Sequence, residues 1–180
     1  MPYSFMQNIE GFESSENREF IFDDSSPSSD NIMDQWILSF TQTLLKLLKE
    51  EMKFYRLYNV VPKLVKYIDN LTNWYVRMNR RRLKGEGGSK DCELALRTLF
   101  SVIYTMVRIN APFTPFLSEF MYQRLLPLLP KTKNNESVHY QMIPQAKEEL
   151  ISEETERAVF HMQTVIDLGR IVRDRKDNSR

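Results

Sequence analysis

The residues best equipped for chemistry lie in one run, Asn73-Trp74-Tyr75-Val76-Arg77-Met78-Asn79-Arg80-Arg81-Arg82-Leu83-Lys84. Arg77, Arg80, Arg81, Arg82 and Lys84 put five cations into eight residues with no acid among them. On a helix, Arg77, Arg81 and Lys84 fall at i, i+4 and i+7 and share one side, which Arg80 widens. Such a stripe suits a phosphate backbone. Arginine adds a planar fork for phosphate oxygens and a flat face for stacking. The same cations also suit a solvated helix end, where they meet the negative end of the macrodipole. Trp74 and Tyr75 fit helix-packing positions better than base-stacking ones.

Little else in the chain points to a reaction. No Gly-rich loop ends in Gly-Lys-Ser/Thr, and no Gly-x-Gly-x-x-Gly is present to cradle phosphate. His139 and His161 have no carboxylate or thiol at ligand spacing, so no metal site is expected. Cys92 is the single cysteine, which excludes a disulfide framework. It sits in an apolar stripe and reads as an inert buried thiol. Nothing assembles a nucleophile, a base and an orienting group.

The 180 residues carry a formal charge of +1, but the charge is split. Residues 1–34 hold eight acids and one base, Arg18, for a net of −7, and residues 35–180 hold 24 bases and 16 acids, for +8. At 42% hydrophobic, a wholly disordered chain is excluded. No apolar run reaches the roughly 18 residues of a membrane span. Leu44-Leu45-Lys46-Leu47-Leu48-Lys49 has interfacial character, but the same residues serve as one buried bundle stripe. The N-terminus has acids where a signal or transit peptide needs bases.

Helical periodicity dominates. Residues 1–30 read as a linker, with a short apolar turn at Tyr3, Phe5, Met6 and Ile9 before the polar stretch Asp23–Asp30. A first strong helix follows a cap at Ser29, Asp30 or Asn31 and carries Met33, Trp36, Ile37, Phe40, Leu44, Leu47 and Leu48. A second begins near Asn59, with Pro62 in its first turn, and continues through the basic run to Gly85. Its apolar face reads Val61, Leu64, Val65, Ile68, Leu71, Trp74, Tyr75, Met78. A third runs from Ser89 or Lys90 to Asn110. A fourth is signalled by Thr114 as cap and Pro115 at the first position. A loop over 131–136 and a last helix capped by Ser152 complete the chain. Residues 31–130 form a bundle that 131–180 extend. The expected fold is all-α, an antiparallel helical bundle of four to five helices.

Several stretches together resemble isoleucyl-tRNA synthetases of the eukaryotic cytoplasmic, class I type. They are Asn31 to Phe40, Tyr55 to Pro62, Leu71 to Gly85, Asn110 to Leu117, Ser137 to Tyr140 and Asp167 to Lys176. The resemblance implies the helical anticodon-binding domain, which grips the anticodon stem and loop of the isoleucine tRNA. It further implies a cytoplasmic protein, with no membrane or DNA partner. The catalytic motifs of the class, His-x-Gly-His and Lys-Met-Ser-Lys-Ser, are not in this chain. The chain is therefore expected to be a piece of the family's domain set. It should need no cofactor of its own, since ATP serves the complete enzyme, and should not charge tRNA alone.

On that resemblance the expected tRNA contacts are Arg77, Asn79, Arg80, Arg81, Arg82 and Lys84. Asn79, having both donor and acceptor, is the side chain best suited to a base edge. Arg173, Arg175 and Lys176 form a second, weaker phosphate set. Some of these cations are alternatively expected to dock a catalytic domain. A bundle that binds proteins, such as a multi-synthetase assembly, without RNA is the competing expectation.

Overall fold

The structure, a computed structural model, describes residues 2–17, 19–22, 29–130 and 136–177. The expected polar linker over 23–28, most of the loop over 131–136, and both Arg18 and Arg180 lie outside them. Every regular element among the described residues is helical. These elements are α1 (Pro2–Glu16), α2 (Ile32–Lys53), α3 (Leu57–Asp69), a π-helical segment Asn70–Val76, α4 (Arg80–Leu83), α5 (Ser89–Asn110), α6 (Pro115–Leu125) and α7 (Glu153–Asp177). Single 3₁₀ turns at Leu126–Leu128, Val138–Tyr140 and Glu148–Leu150 join the later ones.

Helix α5 is the axis. Its 22 residues bury Ala95, Leu96, Leu99, Phe100, Ile103 and Val107 at helical spacing. It starts after Gly88, whose φ of 98° turns the chain in a way a side chain would resist. Helix α2 lies against α5, α3 and α7. Its start is fixed by Asn31, whose Oδ1 accepts the Met33 N–H at 2.9 Å. Helix α6 has Pro115 at its first position as expected, but Thr114 does not cap it. The Thr114 hydroxyl turns back toward the Asn110 carbonyl and Ser118 instead. Ser152 does cap α7, accepting the Thr155 N–H at 3.3 Å.

Three further expectations change. The segment before residue 23 is not a bare linker: Pro2–Glu16 is a helix that packs on α5. Phe5, Ile9 and Phe12, spaced as a helix stripe, are buried, and Phe20 and Phe22 join them around Phe100. The Phe22 N–H donates to the Leu128 carbonyl at 2.9 Å, pinning this strap to the end of α6. The partner surface is nearly a hundred residues away, so local pattern alone leaves α1 without a reason to fold.

The second helix is also not continuous. Asn70, Thr72 and Asn73 bond back to the Lys66 carbonyl, the Ile68 carbonyl and the Asp69 carboxylate. Short polar side chains compete in this way with the backbone ladder, and here the helix widens into the π form. The buried face also differs from the expected one. Val60, Leu64, Tyr67 and Leu71 point inward, while Val61, Val65, Ile68 and Met78 are exposed. The widened turn brings both Trp74 and Tyr75 inside.

Phe100 joins α1, the Phe20–Phe22 strap and Tyr104 in one aromatic cluster. Phe100→Ala should cost about 3–5 kcal/mol. Urea unfolding checks this; an unchanged midpoint would mean α1 is not part of the core.

Candidate nucleic-acid interface

The basic run divides into two kinds of cation. Arg82 is inside, its side chain only 14% exposed. Its Nε donates to the Asp91 carboxylate at 2.9 Å, and one Nη donates to Asp91 at 2.7 Å and to Asp34 at 3.0 Å. The other Nη donates to Asp34 at 3.1 Å and to Asn79 Oδ1 at 2.7 Å. All five N–H groups are thus used. Asp34 is fully buried, and it also accepts from the Tyr75 hydroxyl at 2.7 Å and the Ser29 hydroxyl at 2.6 Å. A buried carboxylate needs this number of partners to remain an ion without large cost.

Charge follows the contacts. Burial works against the Arg82 cation, but its bonds to Asp91 and Asp34 outweigh that and raise its pKa. The Arg82 hydrogen bond holds Asp91 below its ordinary value of 3.8. Burial, reinforced by the Asp34 charge, pushes the Tyr75 hydroxyl far above its ordinary value. Burial likewise pushes the Cys92 thiol up, so it is not a ready nucleophile.

Asn79 belongs to the same network. It is 2% exposed, and its Nδ2 donates to the Tyr75 carbonyl at 2.9 Å while its Oδ1 receives Arg82. Both ends of the amide are occupied inside the fold. The sequence marks Asn79 for a base edge and Arg82 for phosphate; the geometry uses both to hold α4 (Arg80–Leu83) against the fold. Asn79 also breaks the helix between Met78 and α4, because its backbone leaves helical dihedrals.

The remaining cations face outward. Arg77, Arg80, Arg81 and Lys84 are exposed. Arg77, Arg80 and Lys84 make no ion pair among the described residues. Arg81 pairs with Glu86 at 2.6 Å, but its side chain is 85% exposed. Such a surface pair is readily exchanged for another anion. Helix α4 is a single turn, held at both ends: Asn79 ties it back to the Tyr75 carbonyl, Arg82 ties it to Asp34 of α2 and Asp91 of α5, and Leu83 is buried. The outward cations therefore stand on a rigid base.

Helix α7 comes to the same end of the molecule. Glu156 accepts from the Ser39 and Thr43 hydroxyls of α2. Further along, Gln163 donates to Asn70 at 2.8 Å, and the Arg170 guanidinium lies 5.3 Å from the Trp74 ring. Arg173 and Arg175 follow and are exposed; the Arg173 Nε donates to the Gly169 carbonyl of its own helix at 3.3 Å. The Lys176 side chain lies outside the described residues.

Residues 34–180 match the family described as the anticodon-binding domain of tRNA ligase. The chain is 52% identical over 177 residues to a cytoplasmic isoleucine–tRNA ligase of Mus musculus, covering 96% of this chain and 14% of the relative. It is 52% identical over 166 residues to that of Saccharomyces cerevisiae, covering 89% of this chain and 15% of the relative. A Bdellovibrio bacteriovorus isoleucine–tRNA ligase is 38% identical over 173 residues, covering 96% of this chain and 16% of the relative. The chain thus spans about one-seventh of the length of the curated relatives it matches.

Arg82→Gln leaves Asp34 buried beside an uncharged group and should destabilise the fold by about 3–5 kcal/mol. Thermal unfolding reads this; a neutral result would remove Arg82 from the core. Acid gives a second check. The folded pKa of Asp91 is depressed, so its stabilisation is complete above 3.8 and fades as pH falls further. Between neutral pH and pH 3 the denaturation midpoint should fall less steeply in Asp91→Asn than in wild type. Equal slopes would contradict this.

Proposed function

We propose a function from the premise that this chain belongs to the anticodon-binding domain family of tRNA ligases. It is the tRNA-gripping part of an isoleucine–tRNA ligase, and it holds the anticodon stem-loop of the isoleucine tRNA. The carrying observation is the outward set Arg77, Arg80, Arg81 and Lys84, fixed by an inward Arg82. Phosphate oxygens accept from such cations, and a rigid base keeps the cost of ordering them low. Arg173 and Arg175, beyond the Arg170–Trp74 contact, are proposed as a second phosphate set.

In this reading the proposed contact set is narrower than the basic run. Asn79 and Arg82 act by positioning, not by touching RNA. Charging with isoleucine, and the ATP it consumes, is proposed for other parts of the ligase. The Mus musculus and Saccharomyces cerevisiae relatives are named as cytoplasmic, and the same compartment is proposed here.

The test is a titration of the full chain with the anticodon hairpin of isoleucine tRNA across salt concentrations. Log affinity should fall with log salt by about 0.7–0.9 per phosphate neutralised. Replacing Arg77, Arg80 and Arg81 together by Ala should lower that slope by about 2–3 and leave the melting temperature near wild type. A flat salt response from folded protein would overturn the reading in favour of an RNA-free interaction bundle.

A further inference from the structure

The end of the bundle opposite Asp34 carries an apolar surface that no described residue covers. Helix α2 closes there beside the close of α5, about 30 Å from Asp34 by helix rise. A cavity of about 460 Å³ lies between the two helix ends, walled by Leu48, Met52, Ile109 and Phe113 and bordered by Met142 and Pro144. Its polar lining is Lys49, Gln141 and Gln145, and the Lys49 ammonium donates to Gln145 at 3.0 Å. Large side chains stand exposed beside it. Phe54, Tyr55 and Tyr58 of the α2–α3 turn are 60%, 88% and 74% exposed, and Phe116 and Met142 are 90% and 80% exposed. Single exposed apolar groups are ordinary, but a cluster of them around an apolar cavity marks a binding surface.

Backbone strain singles out one of these rings. Helix α2 ends in a Schellman motif. The Tyr55 N–H donates to the Met52 carbonyl at 3.1 Å, and the Arg56 N–H to the Glu51 carbonyl at 3.0 Å. The motif favours glycine at its left-handed position. Here that position is Tyr55, with φ at 55°. An L side chain is strained there, and the exposed ring has little packing within the chain to offset the strain. Such strain is kept where it sets a contact.

Charge states the partner's chemistry. From Met52 to Ile68 the chain holds Lys53, Arg56, Lys63 and Lys66 and no acid. Residues 109–118 and 137–147 hold no acid either. The Arg56 guanidinium lies 4.8 Å from the Phe54 ring centre and pairs with Glu51 at 3.1 Å. The complementary face is therefore apolar, with carboxylates at its rim. The counterpart of this chain makes up 14% and 15% of the Mus musculus and Saccharomyces cerevisiae ligases, so most of such a ligase lies outside it. A face on the same polypeptide meets this surface at an effective concentration far above that of a free partner.

We propose that this end of the bundle docks a further domain of the same ligase, with the Tyr55 ring as leading contact and the cavity between Met52 and Phe113 receiving an apolar side chain of that domain. The proposal rests on the reading of the chain as part of an isoleucine–tRNA ligase and adds where another part of that ligase seats. The RNA-facing Arg77–Lys84 set is at the Asp34 end, so both surfaces are occupied at once.

The test is hydroxyl-radical footprinting, without RNA, of two proteins. One is the full chain; the other is the Saccharomyces cerevisiae ligase with this chain in place of its 52%-identical counterpart. Charging of tRNA by the exchanged ligase shows that it is folded. In the chain, Tyr55, Tyr58, Phe116 and Met142 should be oxidised readily. In the ligase their oxidation should fall at least about 5-fold, because the core of an interface excludes water. Tyr55→Gly should raise the melting temperature of the chain by about 2–4 °C, because glycine accepts the left-handed backbone. In the ligase the same variant should restore oxidation at Tyr58 and Phe116. Equal oxidation of chain and ligase would overturn the proposal. Protection that grows with concentration in the chain alone assigns the surface to a second copy, and protection that needs added tRNA assigns it to RNA; either result overturns docking. A lower melting temperature in Tyr55→Gly, or protection in the ligase that survives this variant, overturns it as well. A flat salt response beside full protection would sink the RNA contact alone. Salt-dependent hairpin binding beside an unprotected surface would sink the docking alone.

Discussion

A fully buried carboxylate, Asp34, must be neutralised, and Arg82 is the group that does it. The requirement reaches far. To arrive at Asp34, Arg82 must be carried from the end of a long arm to the start of α2. To remain there, it must also be held by Asp91 at the start of α5. One guanidinium therefore gathers the start of α2, the short α4 and the start of α5. The Tyr75 and Ser29 hydroxyls and the Asn79 amide complete the cluster. Removing any member leaves a polar group buried without its partner, which is why such clusters specify one arrangement strongly.

That arrangement decides what the neighbours do. Because Arg82 and Leu83 point in, Arg77, Arg80, Arg81 and Lys84 are left outside on a short, firmly anchored segment. The widened π turn serves the same end, since it brings Trp74 and Tyr75 together on the buried side. Helix α7 then lies across Asn70 and Trp74 and delivers a second basic segment to that end. The link from packing to function is direct: burying one cation of the run orients the others.

Much of this was legible in the sequence. The all-α fold, the Asn31 cap, the extent of α5, Pro115 at the start of α6 and the Ser152 cap follow from spacing and short-range chemistry. The family follows from runs such as Leu71 to Gly85. What was hidden depends on distant partners. Phe5, Ile9 and Phe12 had the spacing of a helix stripe, but the ring that receives them, Phe100, is on α5. The inward turn of Arg82 depends on Asp34 and Asp91, and no local rule separates Arg82 from Arg81 beside it. A signal for the π segment did exist, in the short polar side chains Asn70, Thr72 and Asn73, but a fixed period of 3.6 overlooks it. The exposed turn at Tyr55 was likewise visible only once its backbone angle was known.

Neighbouring arginines divide their work: Arg82 holds the fold, and Arg77, Arg80 and Arg81 face outward, where they are proposed to meet RNA. This division is tested most directly by NMR of the arginine Nε–Hε groups while the anticodon hairpin is added to the full chain. The Arg82 signal should be protected from solvent exchange and should not move. The signals of Arg77, Arg80 and Arg81 should shift with RNA concentration. An Arg82 signal that shifts with RNA, beside silent signals from Arg77, Arg80 and Arg81, would contradict the account.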